Sequence, residues 1–376
     1  MKFQKNKPFV ILQLADAQDG PDIAPDTLKL LSAALDKVKP DLVVLTGDQV
    51  KGYAMSFRAK GAAATPGRIR KALHDLLRPV TERGIAFAPT FGNHDAQGFS
   101  ASTGKNAQMS FYKELPNCLA PDAEGDDPGT YSIPVESSDG GKTALNIYVI
   151  DSQGNLGGGY APVKPEQLDW YRAKRDELAA ANDGKPVPSI VFQHIPVQEY
   201  YEVLKKAQKK DKDAIRAYRK FDGYWSPKTE YVYQIDYMGE SCAVPDENTG
   251  EFDALLEKGE VFAMSVGHDH KNSWAARHPR GIDLCYCPGS GFNTYGPGID
   301  RAVRIFEIPE ENPREFKTYT LRYRDIVGKQ VTHPIMNYIN SNTPTNLEDG
   351  LVMGGKLLAF LAGLGLLAFV VFKFLL

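Results

Sequence analysis

Val266-Gly267-His268-Asp269-His270-Lys271-Asn272 is the stretch on which the reading of this chain turns. Phe262 to Val266 reads as a short buried strand, and Gly267 breaks it just before two histidines spaced i, i+2. On an extended or tightly turning backbone that spacing can aim both imidazoles at one small volume. Imidazole is a ligand for borderline cations such as zinc, manganese and iron. A lone pair of this kind at a strand end is more often two surface histidines. Here four other stretches end in the same manner, with an apolar run stopping at Asp, Asn or His.

Working outward, Pro8 to Leu14 reads as a strand running into Asp16-Ala17-Gln18. Leu28, Leu31, Ala34, Leu35 and Val38 give a helical period over Thr27 to Lys39, which Pro40 stops. Asp41 to Thr46 is a second buried strand ending in Gly47-Asp48, and a helix from about Pro66 to Arg83 leads to a strand, Ile85 to Thr90, before Gly92-Asn93-His94-Asp95. A strand from Ala144 to Ile150 ends at Asp151, a helix covers Pro165 to Ala181, and Ser189 to Gln193 runs into His194. Between 200 and 250 the pattern predicts a lysine-rich helical piece and a tyrosine-rich segment that packs or lids a cleft. Strands Asp283 to Cys287, Ala302 to Ile308 and Phe316 to Tyr323 follow, with a glycine-rich loop from Pro288 to Gly298. Strands alternating with helices predict an α/β core, whose ligands sit beyond the carboxyl ends of the strands.

The 376 residues suffice for one large or two ordinary domains, and a net charge of -3 gives no reason to expect nucleic-acid binding. Four cysteines form no Cys-x-x-Cys, so neither a zinc ribbon nor a disulfide framework is expected. No signal peptide is read after the basic start Met1 to Lys7, and the catalytic part is expected in the cytoplasm.

Asp16, Asp48, Asn93, His94, His194, His268 and His270 each follow an apolar strand. Oxygen and imidazole groups converging from five strand ends suit a pair of divalent or trivalent cations, with manganese, iron and zinc the candidates. An anionic oxygen shared by cations about 3.5–4 Å apart offsets their charge, and Asp48 is the candidate for that role. Strand-capping is the plain alternative for any one of these residues, and five clusters together argue against it.

Asp16-Ala17-Gln18, Gly47-Asp48, Gly92-Asn93-His94-Asp95, His194 and Gly267-His268-Asp269-His270 resemble, in order and spacing, the five motifs of the calcineurin-like metallophosphoesterase superfamily. The later Gly291-Phe292-Asn293-Thr294-Tyr295-Gly296 is similar to its non-purple branch related to purple acid phosphatases. The resemblance covers roughly residues 8 to 327 and implies a four-layer α/β/β/α sandwich with a dinuclear centre. It implies Asp16 and His270 as ligands of the first metal, Asp48 as the bridge, and Asn93, His194 and His268 on the second. His94 would face the phosphate and its leaving group, with Asp95 holding its other ring nitrogen. A metal-activated hydroxide would attack phosphorus.

Two positions depart from that pattern. Gln18 stands where the superfamily usually has histidine, so it is either a carbonyl ligand or a hydrogen-bonding neighbour of the first site. Lys51 stands where purple enzymes place a tyrosine, which removes the reason to expect their colour.

Residues 328–350 read as a polar linker and 351–376 as a single transmembrane tail, because Leu357 to Phe372 holds no charged or strongly polar side chain. The expectation is a catalytic domain over 1–327, tethered to a membrane and hydrolysing a phosphorylated small molecule or other phosphoester. The alternative is a catalytically weak, membrane-tethered relative that binds a phosphate ligand or a partner.

Overall fold

A computed structural model describes residues 1–97, 101–122 and 127–375, and for 101 and 365–375 the backbone alone. Two sheets face one another. The first runs, in spatial order, Lys317–Arg322, Ala302–Ile308, Phe9–Leu14, Leu42–Thr46 and Ala86–Thr90. The second has seven strands, in the order Val232–Met238, Asn272–Arg277, Asp283–Tyr286, Val261–Val266, Ser189–Phe192, Thr143–Val149 and Tyr131–Glu136. In the first sheet Phe9–Leu14, Leu42–Thr46 and the edge strand Ala86–Thr90 run parallel, while Ala302–Ile308 and Lys317–Arg322 join by antiparallel pairing. In the second the four central strands are parallel and the flanking ones antiparallel.

Period-two alternation assigns the faces. Along the second sheet Ile147, Ile190, Phe192 and Phe262 point into the core shared with Ile11, Val43, Val303 and Phe306 of the first. Tyr148, Val191, Met264 and Leu284 point the other way, onto Leu168 and Tyr171 of helix Pro165–Ala180 and Phe252 and Leu255 of helix Glu251–Leu256. The outer face of the first sheet is covered by helices Pro25–Val38 and Thr65–Thr81, through residues such as Leu31, Leu35, Leu73 and Leu77. The layering is helix, sheet, sheet, helix.

The expected helical piece after residue 200 does not form. The chain there makes a 3-10 turn over Gln198–Val203 and then a small antiparallel sheet of Leu204–Ala207, Ile215–Arg216 and Tyr224–Pro227. Leu204 and Ile215 are buried whereas Lys205, Lys206, Lys209 and Lys210 are exposed, so no apolar stripe of helical period exists to be packed. The linker range also holds structure, an eight-residue helix over Pro334–Ser341.

The last helix spans Leu347–Leu375. Leu351, Leu357, Leu358, Phe360 and Leu361 on it are exposed. Among the described residues no helix is long and apolar enough to cross a membrane. The second half of the expected span, from 365 onward, lies outside the residues whose side chains are described.

Candidate metal centre

The loops that follow the parallel strands are laced together by their backbones at one edge of the sandwich. Asp16 N donates to the Gly47 carbonyl at 3.1 Å, Gln18 N to that of Asp48 at 2.8 Å, and Gly267 N to that of His194 at 3.1 Å. Four of the sequence-selected residues sit at left-handed φ: Asp16 at 53°, Gln18 at 39°, Asp48 at 54° and His268 at 74°. Such backbone is costly for residues with a Cβ and gathers where side chains must be aimed. Two glycines allow the loops to close. A Cβ on Gly92 would lie 2.2 Å from Asp48 Oδ1, and one on Gly267 2.8 Å from Asp16 Oδ2.

The side chains meet. His194 Nε2 lies 3.3 Å from Asp48 Oδ2, 3.9 Å from Asp16 Oδ1 and 3.2 Å from Asn93 Oδ1. His270 Nε2 lies 3.3 Å from Asp16 Oδ1, and His268 Nδ1 is 3.2 Å from His194 Nε2. Asp16, Asp48 and His194 each offer a ligand atom within 4.8 Å of the others. Asp16 Oδ1 and His268 Nε2 are buried without a hydrogen-bond partner, in a chain position where an unmatched polar atom costs free energy. Two carboxylates, three imidazoles and an amide oxygen in so small a space fit borderline divalent or trivalent cations.

The imidazoles are oriented from behind. His194 Nδ1 meets the Thr46 carbonyl at 2.8 Å, which turns Nε2 toward the carboxylates. His270 Nδ1 meets the Tyr295 carbonyl at 2.8 Å, and the Tyr295 ring stacks on it with centroids 4.1 Å apart. Burial lowers the affinity of His194 for a proton, but Asp48 and Asp16 outweigh it and hold the imidazole up to about 10. Burial raises Asp48, and the neighbouring His194 and His94 reverse that, holding the carboxyl well below the usual carboxylate range. Burial and the proximity of His194 push His268 well down.

Three placements differ from expectation or sharpen it. Asp95 does not hold the His94 ring. Its carboxylate accepts the amides of Gly92, Asp48 and Gln49, each at 2.7 Å, and of Val50 at 3.1 Å, tying two motif loops together. The turn after Gly92 buries Asp95 while His94 faces the cavity, so the two side chains diverge; His94 Nδ1 pairs with Gln97 Oε1. Gln18 turns its amide nitrogen to Asp48 Oδ2 at 3.1 Å, and its oxygen accepts the Thr294 hydroxyl. Asp151, at the end of another strand, binds Lys105 at 2.7 Å.

Gln97 escapes the sequence reading although it stands three residues after His94, and Thr294 and Tyr295 enter it only within the Gly291–Gly296 resemblance, with no role at the site. A cavity of about 110 Å³ opens over the cluster, lined by Asp48, His94, His268 and His270 together with Tyr160, Tyr218 and Glu240. Lys51 donates to the Asn293 carbonyl at 2.6 Å, and Tyr53 sets its ring edge-on to His94 at 4.9 Å.

Comparison with known proteins agrees with the geometry. "Probable inactive purple acid phosphatase 14" of Arabidopsis thaliana is 28% identical over 350 residues, covering 83% of this chain and 78% of that protein. "Probable inactive purple acid phosphatase 29" of the same plant is 26% identical over 84% of this chain and 81% of that protein. "Phosphatase DCR2" of Saccharomyces cerevisiae is 26% identical over 86% of this chain, which spans 52% of the yeast protein. The profile of the calcineurin-like phosphoesterase family matches residues 9–272, which takes in every loop of the cluster from Asp16 to His270 and places this chain in that family.

Proposed function

We infer that this protein is a metal-dependent hydrolase of phosphoric esters, and the observation that carries the reading is the convergence of Asp16, Asp48, Asn93, His194, His268 and His270 on one another, at a cavity that Asp48, His268 and His270 line together with His94. Asp16 and His270 would hold one cation, Asn93, His194 and His268 a second, and Asp48 would stand between them. When bound, such a pair supplies Lewis acidity and a nucleophile at neutral pH. The chain's own residues do the rest. His94 faces the same cavity as the phosphoryl group and donates a proton to the departing oxygen, with Gln97 fixing its ring. Asp95 holds the Asp48 and His94 loops rigid through four amides. The C-terminal helix would tether the domain to a membrane, its exposed apolar residues supporting that reading, with the site on the cytoplasmic side.

The test is elemental analysis together with turnover of p-nitrophenyl phosphate and its bis-ester with added manganese. Two bound metals and turnover support the reading; metals without turnover of any ester remove it. One observation favours a second reading, a phosphate-binding relative of low activity: Gln18 presents a donor to Asp48 where an imidazole ligand is usual.

Gln18→His separates the two. Histidine tolerates the left-handed φ at this position better than most residues, and imidazole binds borderline cations more tightly than an amide. Half-maximal activity is expected at a manganese concentration lower by about 10–100-fold. Unchanged metal dependence would put residue 18 outside the ligand shell, and activity seen only in the variant would favour the second reading.

Loading should also move protons. His194, held up to about 10 by its carboxylate neighbours, carries a proton at pH 7 in the chain alone and must lose it to become a ligand. Manganese affinity is therefore expected to rise with pH, by about tenfold per unit for each proton released, up to the region of pH 10. Calorimetry in buffers of different ionisation enthalpy measures the release. A binding heat independent of buffer would show that His194 gives up no proton when manganese binds.

A further inference from the structure

The segment leading to the C-terminal helix does not run over open surface. Helix Pro334–Ser341 ends against the glycine-rich loop, where Gly296 N donates to the Asn340 carbonyl at 3.3 Å and Asn340 Nδ2 to the Phe292 carbonyl at 3.1 Å. Lys271, next to His270 in sequence, donates its ammonium to the carbonyls of Ser341 and Thr343 at 3.2 and 2.8 Å. Further on, Glu348 lies in the first turn of the last helix. Its carboxylate is held by Lys209 Nζ at 2.6 Å, by the Tyr224 hydroxyl at 2.7 Å and by the Arg216 guanidinium. The chain is thus pinned on both sides of Thr345, once to the His-x-His loop and once to the small sheet. Thr345 itself lines the cavity over the candidate metal centre.

That cavity holds about 110 Å³, whereas pockets for drug-sized ligands run to about 300–1,000 Å³. It is a small cleft, partly open to solvent: a phosphoryl group fits in it, and a second organic substituent on phosphorus must crowd the lining, Thr345 included. The same cavity is lined by Tyr160 and Tyr218, stacked with centroids 5.6 Å apart, and Tyr160 also sets an edge against His268 at 4.4 Å. This wall is fixed by packing. A monoester can leave its one substituent in the mouth, whereas a diester brings a second against the lining that Thr345 completes.

We propose that residues 340–348 are a strap forming one wall of the substrate site and restricting it to phosphates with a single substituent. The proposal rests on the hydrolase reading only for the word substrate; the strap's effect on what binds stands apart from turnover. Glu348 belongs to both strap and terminal helix, so wall and helix are one continuous piece of chain. Exposed ion pairs are individually weak, and reversing the charge at 348 against Lys209 and Arg216 should release the strap without disturbing the core.

The full chain in detergent, with manganese, is compared with Glu348→Lys and with Thr345→Gly, which opens the wall without cutting the anchor. Amide hydrogen exchange over 340–348 is expected to be slow in the natural chain and at least about tenfold faster in Glu348→Lys. Affinity for diphenyl phosphate relative to orthophosphate, by calorimetry, is expected to rise by about tenfold in both variants, as should turnover of bis(p-nitrophenyl) phosphate relative to the monoester. Rapid exchange of 340–348 in the natural chain overturns the strap. So does faster exchange in Glu348→Lys with neither ratio changed. If no protein turns over either ester but the binding ratio shifts, the hydrolase reading falls and the strap is upheld.

Discussion

Asp48→Asn is expected to abolish turnover, by about 10³-fold or more, beyond the 10–100-fold that residues outside the ligand shell usually account for. The side chain would separate two cations, and it is the carboxylate 3.3 Å from His194 Nε2. At an effective dielectric of 20, unit charges 4 Å apart repel by about 4 kcal/mol, and two dications by about four times that. A neutral amide leaves this repulsion uncompensated, so at most one metal should remain by elemental analysis. Asparagine suits the test because it accepts left-handed backbone, which residue 48 adopts with φ 54°. Oδ1 can go on accepting the His94 amide, which the carboxylate now binds at 2.7 Å. Thermal unfolding of the metal-free variant close to that of the natural chain would separate loss of charge from loss of fold. Full dinuclear occupancy in the variant would show that Asp48 is not the bridge.

His94→Ala is the second large effect. His94 lines the cavity, and its Nδ1 is engaged by Gln97, which leaves Nε2 as the proton donor to the leaving oxygen. Turnover of a poor leaving group should fall by about 10²–10⁴-fold, the range for a positioned acid. An activated ester whose leaving group needs no proton should suffer much less. Metal content should be unchanged, since no ligand is removed. Gln97→Ala should give a smaller loss that is also larger for the poor leaving group, because it acts through the imidazole. Loss of both metals in His94→Ala would place this histidine among the ligands instead, and equal losses for both kinds of ester would remove its role as an acid.

Much of this is legible in the sequence alone. Apolar runs such as Val43 to Leu45 and Phe262 to Val266 are bounded by breakers and end in side chains with the chemistry of metal ligands, so both the strands and the candidate residues could be read. The order of those residues in the chain carried the family. Helices with a clear period, such as Pro25–Val38, were also readable to within two residues. By contrast, the strands Tyr131–Glu136 and Asn272–Arg277 are not legible in the sequence, since short polar-punctuated runs are decided by the neighbours they pair with. The lysine-rich piece after 200 was read as helix for the same reason: composition favours helix there, but its two apolar residues are buried only when the segment pairs as strands.

What the sequence determined by itself is the inventory: which side chains stand at the ends of which strands, and hence the α/β architecture and the phosphoesterase family. Periodicity and breakers are local, and a strand end is fixed by the residues beside it. Only the tertiary structure decided which partner each side chain faces. Left-handed turns at Asp16 and Asp48 and the close approach of Gly92 to Asp48 set directions that no spacing rule encodes. They send Asp95 to four amides and leave His94 to Gln97, and they turn the Gln18 amide onto Asp48. Thr345 reaches a cavity lined by residues as far back as Asp48 and Gln18 because Lys271 and Glu348 pin the chain on either side of it. Contacts of that sequence separation are chosen by packing and hydrogen-bond geometry, which exist only once the two sheets have closed on one another.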